Sequence, residues 1–566
     1  MSQGSGRALH HAMRATRQRR GSRTFAWLAS VSVLLACVAG VLGAAGTETG
    51  DRRSETADRV TIGVRADVDS LNIYTASTIL SQEVSNLLFL HLAGEKDDFA
   101  EGPPTFEPQL ARRWEVSADG LTIDFNLDSA MRWSDGRMVT ARDVVFSHEA
   151  AISKEVGWIG ADVKEFIASV EVIDDKTVRF RFTKRYPYQV MDAVEGNILP
   201  AHHYGAIPFA EWPKKEFVEA PVVSGPYRLA SYRPGETLVL ERNPAYGGAA
   251  AGIPRVVFRV LPDVATLLAE LESGGIDVME NVPAAQVKRL SARQDLELIK
   301  VHDLSYTFVC WNQRLALFSD PRVRRALTMA IDRRAIIDGV LFGNGKLLAS
   351  PVMSLYWAHD PSLEPWPHDP QRARALLAEA GWKDTDGDGI LDKDGRPFRF
   401  TLETNQGSQL RGDVAILVQD HLKKVGIDAQ PRTLEFRAYL QKHDAHDFDA
   451  FVGGHREATK VDLKSLLHTS AIDGGYNHAG YSNAAMDALI DQARGETDTK
   501  AARQLWSRAQ QLFHEDEPFT ILFEMQRVNA VNRRIAGAKM SPRTAFMNLP
   551  AWSLRGTSAR PAAEGK

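Results

Sequence analysis

The chain reads as a mixed α/β protein of at least two domains, and three observations lead there. Its 566 residues exceed what one hydrophobic core ordinarily supports. Its composition, 44% apolar and 25% charged, is that of a folded chain. Period-two strand patterns and helical patterns intermingle along its whole length, without repeats or low-complexity tracts.

Residues 1–46 read as an address rather than a fold. Arg7, Arg14, Arg17, Arg19, Arg20 and Arg23 precede the uncharged run from Phe25 to Gly46. Positive charge before an apolar run places the N-terminus in the cytoplasm and the body outside. Three outcomes share that topology. The chain is cleaved near Ala44–Gly46, or Leu34-Leu35-Ala36-Cys37 acts as a lipobox that attaches lipid to Cys37, or the run stays as an anchor. The body is then periplasmic or held on the outer side of the cytoplasmic membrane. Residues 47–57 are a polar linker.

Beyond that segment the chain carries 62 basic and 72 acidic residues, a net charge of −10. An acidic body argues against nucleic acid as a partner, because phosphate binding needs a basic face. With Cys37 set aside, Cys310 is the body's one thiol, so no disulfide forms within it.

The body opens on Arg59–Val64, a short β-branched run that predicts a strand. Trp114 to Leu127 alternates around Asp119-Gly120 and predicts a hairpin. Thr140-Ala-Arg-Asp143 resembles a capping box that opens a helix to about Ala150. Thr177–Phe182, Glu236–Glu241 and Arg255–Val260 alternate as strands. Asp320-Pro321 and Asp369-Pro370 each place a cap before a first-turn proline. The second of these helices stops at Gly381, and Val414–Val425 stops similarly at Gly426. Ala501, Leu505, Ala509, Leu512 and Phe513 share one face of a late helix. From Ser553 the chain reads as a loose tail, flexible over 557–566.

Catalytic signatures are missing. No Gly-x-Ser-x-Gly, His-Glu-x-x-His, phosphate loop or Cys-x-x-Cys occurs. Cys310 lies in an apolar run and reads as a buried small hydrophobe. Asp384, Asp386 and Asp388, with Gly389 following, match the first half of a calcium loop, but Gly395 stands where the bidentate glutamate belongs. A turn-rich connector is the reading there, with calcium as the alternative. His443 and His446 sit beside carboxylates at a spacing that could hold a divalent metal; a solvated face is preferred because no fourth ligand can be named. His202-His203 reads as packing or turn chemistry. No resident cofactor is expected.

Five segments, in order, carry a resemblance. Glu107 to Leu127 runs on through Trp133-Ser-Asp-Gly136 to Thr140–Phe146; Ser224–Leu229 leads to Arg233–Glu236 and Glu241–Tyr246; Asp320–Arg333 follows, then Tyr481–Ile490 and His514–Pro518. Together they resemble the peptide/nickel family of extracytoplasmic solute-binding proteins that serve ATP-driven importers. The resemblance implies a two-lobed, type II periplasmic-binding-protein fold that closes on ligand like a trap. It places the first lobe at 58–312 plus 523–556, with a subdomain at about 75–200 inserted, and the second lobe at 313–522. It implies no catalysis: a ligand, by default a peptide, is captured outside the membrane and passed to permease subunits by a monomer.

Oligopeptide-binding relatives usually place a Trp and an Asp in the second lobe, where the carboxylate holds the peptide amino terminus. Here His455 falls at the aromatic position and Ala458 at the acidic one, so Glu457 substitutes only if the loop shifts. Residues matching the family's ligand-contacting neighbourhoods are Asn312, Gly454, His455, Glu457, Tyr476, Asn477 and Tyr481. Three alternatives stand beside this reading: a membrane-tethered sensor, a nickel, haem or sugar receptor on the same scaffold, and a metallo-hydrolase built on His443 and His446.

Overall fold

A computed structural model describes residues 58–556. The export segment with Cys37, the linker up to residue 57 and the tail 557–566 lie outside the described residues.

One long mixed sheet runs through both lobes. Its strands follow the order Asp428–Leu434, Arg399–Asn405, Ala450–Arg456, Leu296–Trp311, Phe519–Asn532, Val278–Met279, Arg59–Val64, Arg255–Val260, Thr237–Arg242 and Tyr227–Arg233. Leu296–Trp311 and Phe519–Asn532 are the long ones, and they pair antiparallel along their length. Their register breaks twice, and the larger break lies between the lobes. His302 faces Gln526 and Tyr306 faces Glu524, so Asp303, Leu304 and Ser305 stand opposite Met525 alone. Unpaired extra residues bend a strand and sharpen its twist. This bulge is where the chain passes from lobe to lobe.

The crossing lies upstream of the 312/313 boundary drawn from the resemblance, for a reason visible in the pairing. Ser305–Trp311 bonds to the second-lobe strand Ala450–Arg456. Trp311, Leu522 and Phe523 lie in the second-lobe core with Leu377, Phe400 and Val418.

The first lobe also carries a four-stranded antiparallel sheet in the order Ala111–Val116, Thr122–Leu127, Thr177–Phe182, Ile167–Asp174. The predicted hairpin forms its edge, turning at Gly120 with φ 71°. A left-handed φ there favours glycine. The helix Ala141–Ile152 packs on this sheet behind the capping box of Thr140 and Asp143. Such a cap stabilises a helix by about 1 kcal/mol. Pro321–Ala330, Pro370–Glu379, Gln409–Lys423 and Thr499–Asp516 are among the second-lobe helices, each with a side-chain cap at its first turn.

The tail expectation needs one correction. Ser553–Leu554 pairs antiparallel with Ile535–Ala536, and Trp552 before it is fully buried. Burying that indole and satisfying the adjacent backbone holds the chain as far as the described residues reach. Among the described residues no helix is long and apolar enough to cross a membrane.

Candidate functional site

A cleft of about 580 Å³ lies between the lobes. Glu95, Met191, Arg543 and Met547 face it from the first lobe, Leu304 from the bulge, and Arg456–Thr459 from the second lobe.

Glu457 follows directly on the strand Ala450–Arg456, and its backbone N–H donates to Leu304 O at 2.7 Å. The residue is therefore tied to the hinge itself. Its side chain is only 10% exposed, and Oε1 has no hydrogen-bond partner. Burial, reinforced by the nearby Asp462, pushes this carboxyl up to about 8. Beside it lies the fully buried Tyr306 hydroxyl, near enough to oppose the rise of the carboxyl but outside good hydrogen-bonding geometry. His455 Nε2 lies 3.4 Å from Glu457 Oε1, and burial, with His478 adding to it, pushes the imidazole down to about 4. At neutral pH these three groups form an uncharged polar socket with unmet hydrogen-bonding capacity. Buried polar groups left unpaired are costly. A ligand ammonium would supply the missing donors and draw Glu457 into its ionised form.

Around the socket the lobes touch directly. Arg456 donates to Arg543 O at 2.8 Å, and Thr459 Oγ1 to Glu95 Oε1 at 2.5 Å. Lys460 Nζ lies 3.3 Å from Asp192 Oδ1, and Val461 N–H donates to Tyr188 Oη at 3.3 Å. Trp357 N–H reaches Phe99 O at 2.9 Å, with the Phe99 and Tyr356 rings edge to face. The lobes are closed on one another.

The residues singled out by sequence divide here. Glu457 lines the cleft, and His455 stands behind it, 5.8 Å from the Tyr306 ring and 5.6 Å from the Tyr476 ring. Tyr476 is 59% exposed. Gly454 packs beside the Arg411 guanidinium. Asn312, Asn477 and Tyr481 are spent on the lobe's own structure. Asn312 donates to Phe448 O, Asn477 to Tyr481 O, and the Tyr481 hydroxyl to Asp516 Oδ2.

Other parts of the site escaped sequence reading. Arg543 pairs with Glu95 and Asp97, from which it is separated by more than 440 residues. Asp192 lies on the short helix Gln189–Val194 and meets Lys460 across the cleft. None of these residues sits in a motif. The pairing of charge across the lobes is a property of the fold alone.

The metal readings also meet the geometry. His443 is not on a solvated face: it is buried, stacked on Phe451 with ring centroids 3.8 Å apart, with Nε2 3.6 Å from Glu403 Oε2. The helix Phe436–Asp444 turns that side inward against the sheet, which the charged neighbours of His443 do not reveal. Among the described residues, no three donors that include His443 or His446 converge. Asp384, Asp386 and Asp388 do converge, all exposed, with ligand atoms within 4.8 Å of one another. Each accepts backbone N–H groups of its own loop. His202 pairs with Asp135 at 2.8 Å, and Cys310 is buried, its thiol pushed up by burial.

Residues 105–474 match the family described as bacterial extracellular solute-binding proteins, family 5 Middle. The oligopeptide-binding protein AppA of Bacillus subtilis (strain 168) is 33% identical over 480 residues, covering 84% of this chain and 87% of that protein. The dipeptide-binding protein of Escherichia coli (strain K12) is 26% identical over 467 residues, covering 79% and 86%. The solved structure of B. subtilis AppA in complex with a nonapeptide superposes with a TM-score of 0.74 at 31% identity, covering 88% of this chain and 98% of that one. NikA from Brucella suis in complex with Fe(III)-EDTA has a TM-score of 0.78 at 21% identity, covering 88% and 100%, which is a likeness of fold.

Proposed function

The chain belongs to the family 5 bacterial extracellular solute-binding proteins, and from that premise we propose that its ligand is a peptide whose amino terminus is received by Glu457. The protein is a two-lobed solute receptor of an ABC-type importer and not an enzyme. Its work is to close around a solute outside the cytoplasm and present the closed form to the permease. A ligand that touches both lobes favours the closed state, because only that state makes the full set of contacts.

One observation carries the peptide reading: a carboxyl buried in the cleft, bonded through its backbone to the hinge, with an oxygen that no donor of the protein meets in good hydrogen-bonding geometry. An ammonium group is the ligand feature that fits it. The relatives with peptide-binding names support the same reading. Export by the N-terminal segment, whether it is cleaved, lipidated at Cys37 or kept as an anchor, accounts for delivery to the outer face. A monomer suffices, since the cleft is built from one chain.

Calorimetry with short peptides tests the assignment. Free-amino peptides should bind, N-acetylated versions should lose at least tenfold, and Glu457→Gln should narrow that difference. Equal affinity for free and acetylated peptides in the wild-type protein would remove Glu457 from this role.

A further inference from the structure

Lys164 ends the short turn Ile159–Lys164 in the first lobe and is only 5% exposed. Its ammonium donates to Asp192 O at 2.6 Å, to Glu195 O at 2.7 Å and, more weakly, to Ala193 O at 3.5 Å. These carbonyls close the helix Gln189–Val194, at the end where a helix leaves its acceptors unmet and favours a cation. His91 Nδ1 lies 3.3 Å from Val194 O, so side chains from elsewhere in the lobe finish this helix.

Burying a cation costs stability unless hydrogen bonds offset it, and an apolar side chain of similar volume would fill the space without that cost. Burial pushes the Lys164 ammonium down to about 8, against the pull of the Glu195 and Asp192 carboxylates. Burial, with Lys164 adding to it, pushes the neighbouring His148 imidazole down to about 4. At neutral pH the lysine is charged and the histidine is not.

What the cation holds is a wall of the cleft, lined by Met191, Val194 and Glu195. Asp192 is gripped from two sides. Its carbonyl is held by Lys164, and its carboxylate by the second lobe's Lys460 at 3.3 Å and by the Tyr186 hydroxyl at 2.6 Å. Without the ammonium these carbonyls would be left buried and without their donor, and the helix end would shift toward water. Asp192 would shift with it, away from Lys460.

We propose that Lys164 is a positioning residue for closure: by holding the end of Gln189–Val194 it sets Asp192 where Lys460 of the second lobe can reach it. The inference concerns the closing motion and is independent of which solute is bound.

Energy transfer between dyes placed one on each lobe of the full-length protein, as purified, gives the closed fraction. Lys164→Met, Lys460→Met and the double variant are compared with the wild type. Each single variant should lower the ratio of closed to open molecules about three- to tenfold. The double variant should be no more open than Lys164→Met alone, because residues that act through one contact do not add. Two losses that sum in the double variant would overturn the proposal, as would a Lys164→Met protein that closes like the wild type. If Lys164→Met does not fold, Lys164→Gln, which keeps an amide donor for the carbonyls, takes its place in the same comparison and the same outcomes decide.

Discussion

Arg456 donates to Asp303 Oδ1 at 2.9 Å, joining the end of a second-lobe strand to the bulge through which the chain passes between the lobes. Arg527 Nε stands 3.6 Å from the same oxygen. One carboxylate thus serves two guanidinium groups, one from the second lobe and one from the first-lobe half of the other crossing strand. Asp303→Asn would leave both cations undercompensated at the hinge. Weaker ligand binding is expected, by about tenfold, equivalent to ~1.4 kcal/mol, with the loss in the closed state. Small-angle scattering of the liganded variant should show a larger radius of gyration at equal saturation. Unchanged affinity and unchanged dimensions would show that Asp303 does not couple to closure.

Lys460 and Asp192 make a second contact of this kind, further along the cleft. Asp192 is almost fully buried and also accepts from the Tyr186 hydroxyl at 2.6 Å. Lys460 additionally lies over the Tyr188 ring, 5.4 Å from its centroid. Because the pair spans the lobes, Lys460→Met should cost ligand affinity, about three- to tenfold, while each lobe keeps its own core. Calorimetry and thermal melting of the unliganded protein separate the two effects. A lower melting temperature with intact affinity would place the role of Lys460 in folding.

Much of this fold was legible in the sequence because its signals are local. The Asp119-Gly120 turn, the Thr140 capping box and the proline-led helices at Asp320 and Asp369 each declare themselves within a few residues. The cleft does not. Glu457 could be suspected only by its place beside a family motif, and what singles it out is burial without a partner. Asn312, Asn477 and Tyr481 are polar residues at motif positions, and sequence cannot say that their hydrogen bonds close within the second lobe. His443 fails as a surface residue for the same reason: its period on a short helix does not show which face meets Phe451.

Glu83 gives a prediction on stability. It lies on the helix Ile79–Leu88, accepts Ala545 N–H at 2.7 Å through Oε1, and leaves Oε2 without a partner. Burial first, and the Glu280 carboxylate second, push it up to about 8, while Arg527 and Arg456 pull the other way. The folded protein therefore holds a proton that an unfolded chain releases near the ordinary carboxylate value. Between those two values the folded state binds more protons, so this group's contribution to stability falls as pH rises from about 4.5 to about 8. Glu83→Gln keeps the acceptor for Ala545 and removes the titration. Its melting temperature should fall less than that of the wild type between pH 5 and pH 8. Parallel decline in both proteins would show that Glu83 does not titrate in this range.

Glu457 gives the corresponding prediction for closure. With the lobes apart its carboxyl meets water and titrates near the ordinary value of about 4.3, whereas in the closed, empty cleft it is pushed up to about 8. The groups around it are Asp462, which reinforces the rise, the Tyr306 hydroxyl, which opposes it, the neutral His455 imidazole and the Tyr356 hydroxyl. The closed empty form thus takes up a proton that the open form lacks. Over this interval closure without ligand should become harder with rising pH, by up to tenfold per unit. A ligand ammonium replaces that proton and removes the penalty, so the liganded protein should stay closed throughout. Energy transfer between dyes placed one on each lobe reads the distribution directly. The empty wild type should be more closed at pH 5 than at pH 8, and Glu457→Gln should be equally closed at both. A wild type whose lobes respond to pH as the variant does would mean that closing the cleft leaves this carboxyl in contact with water.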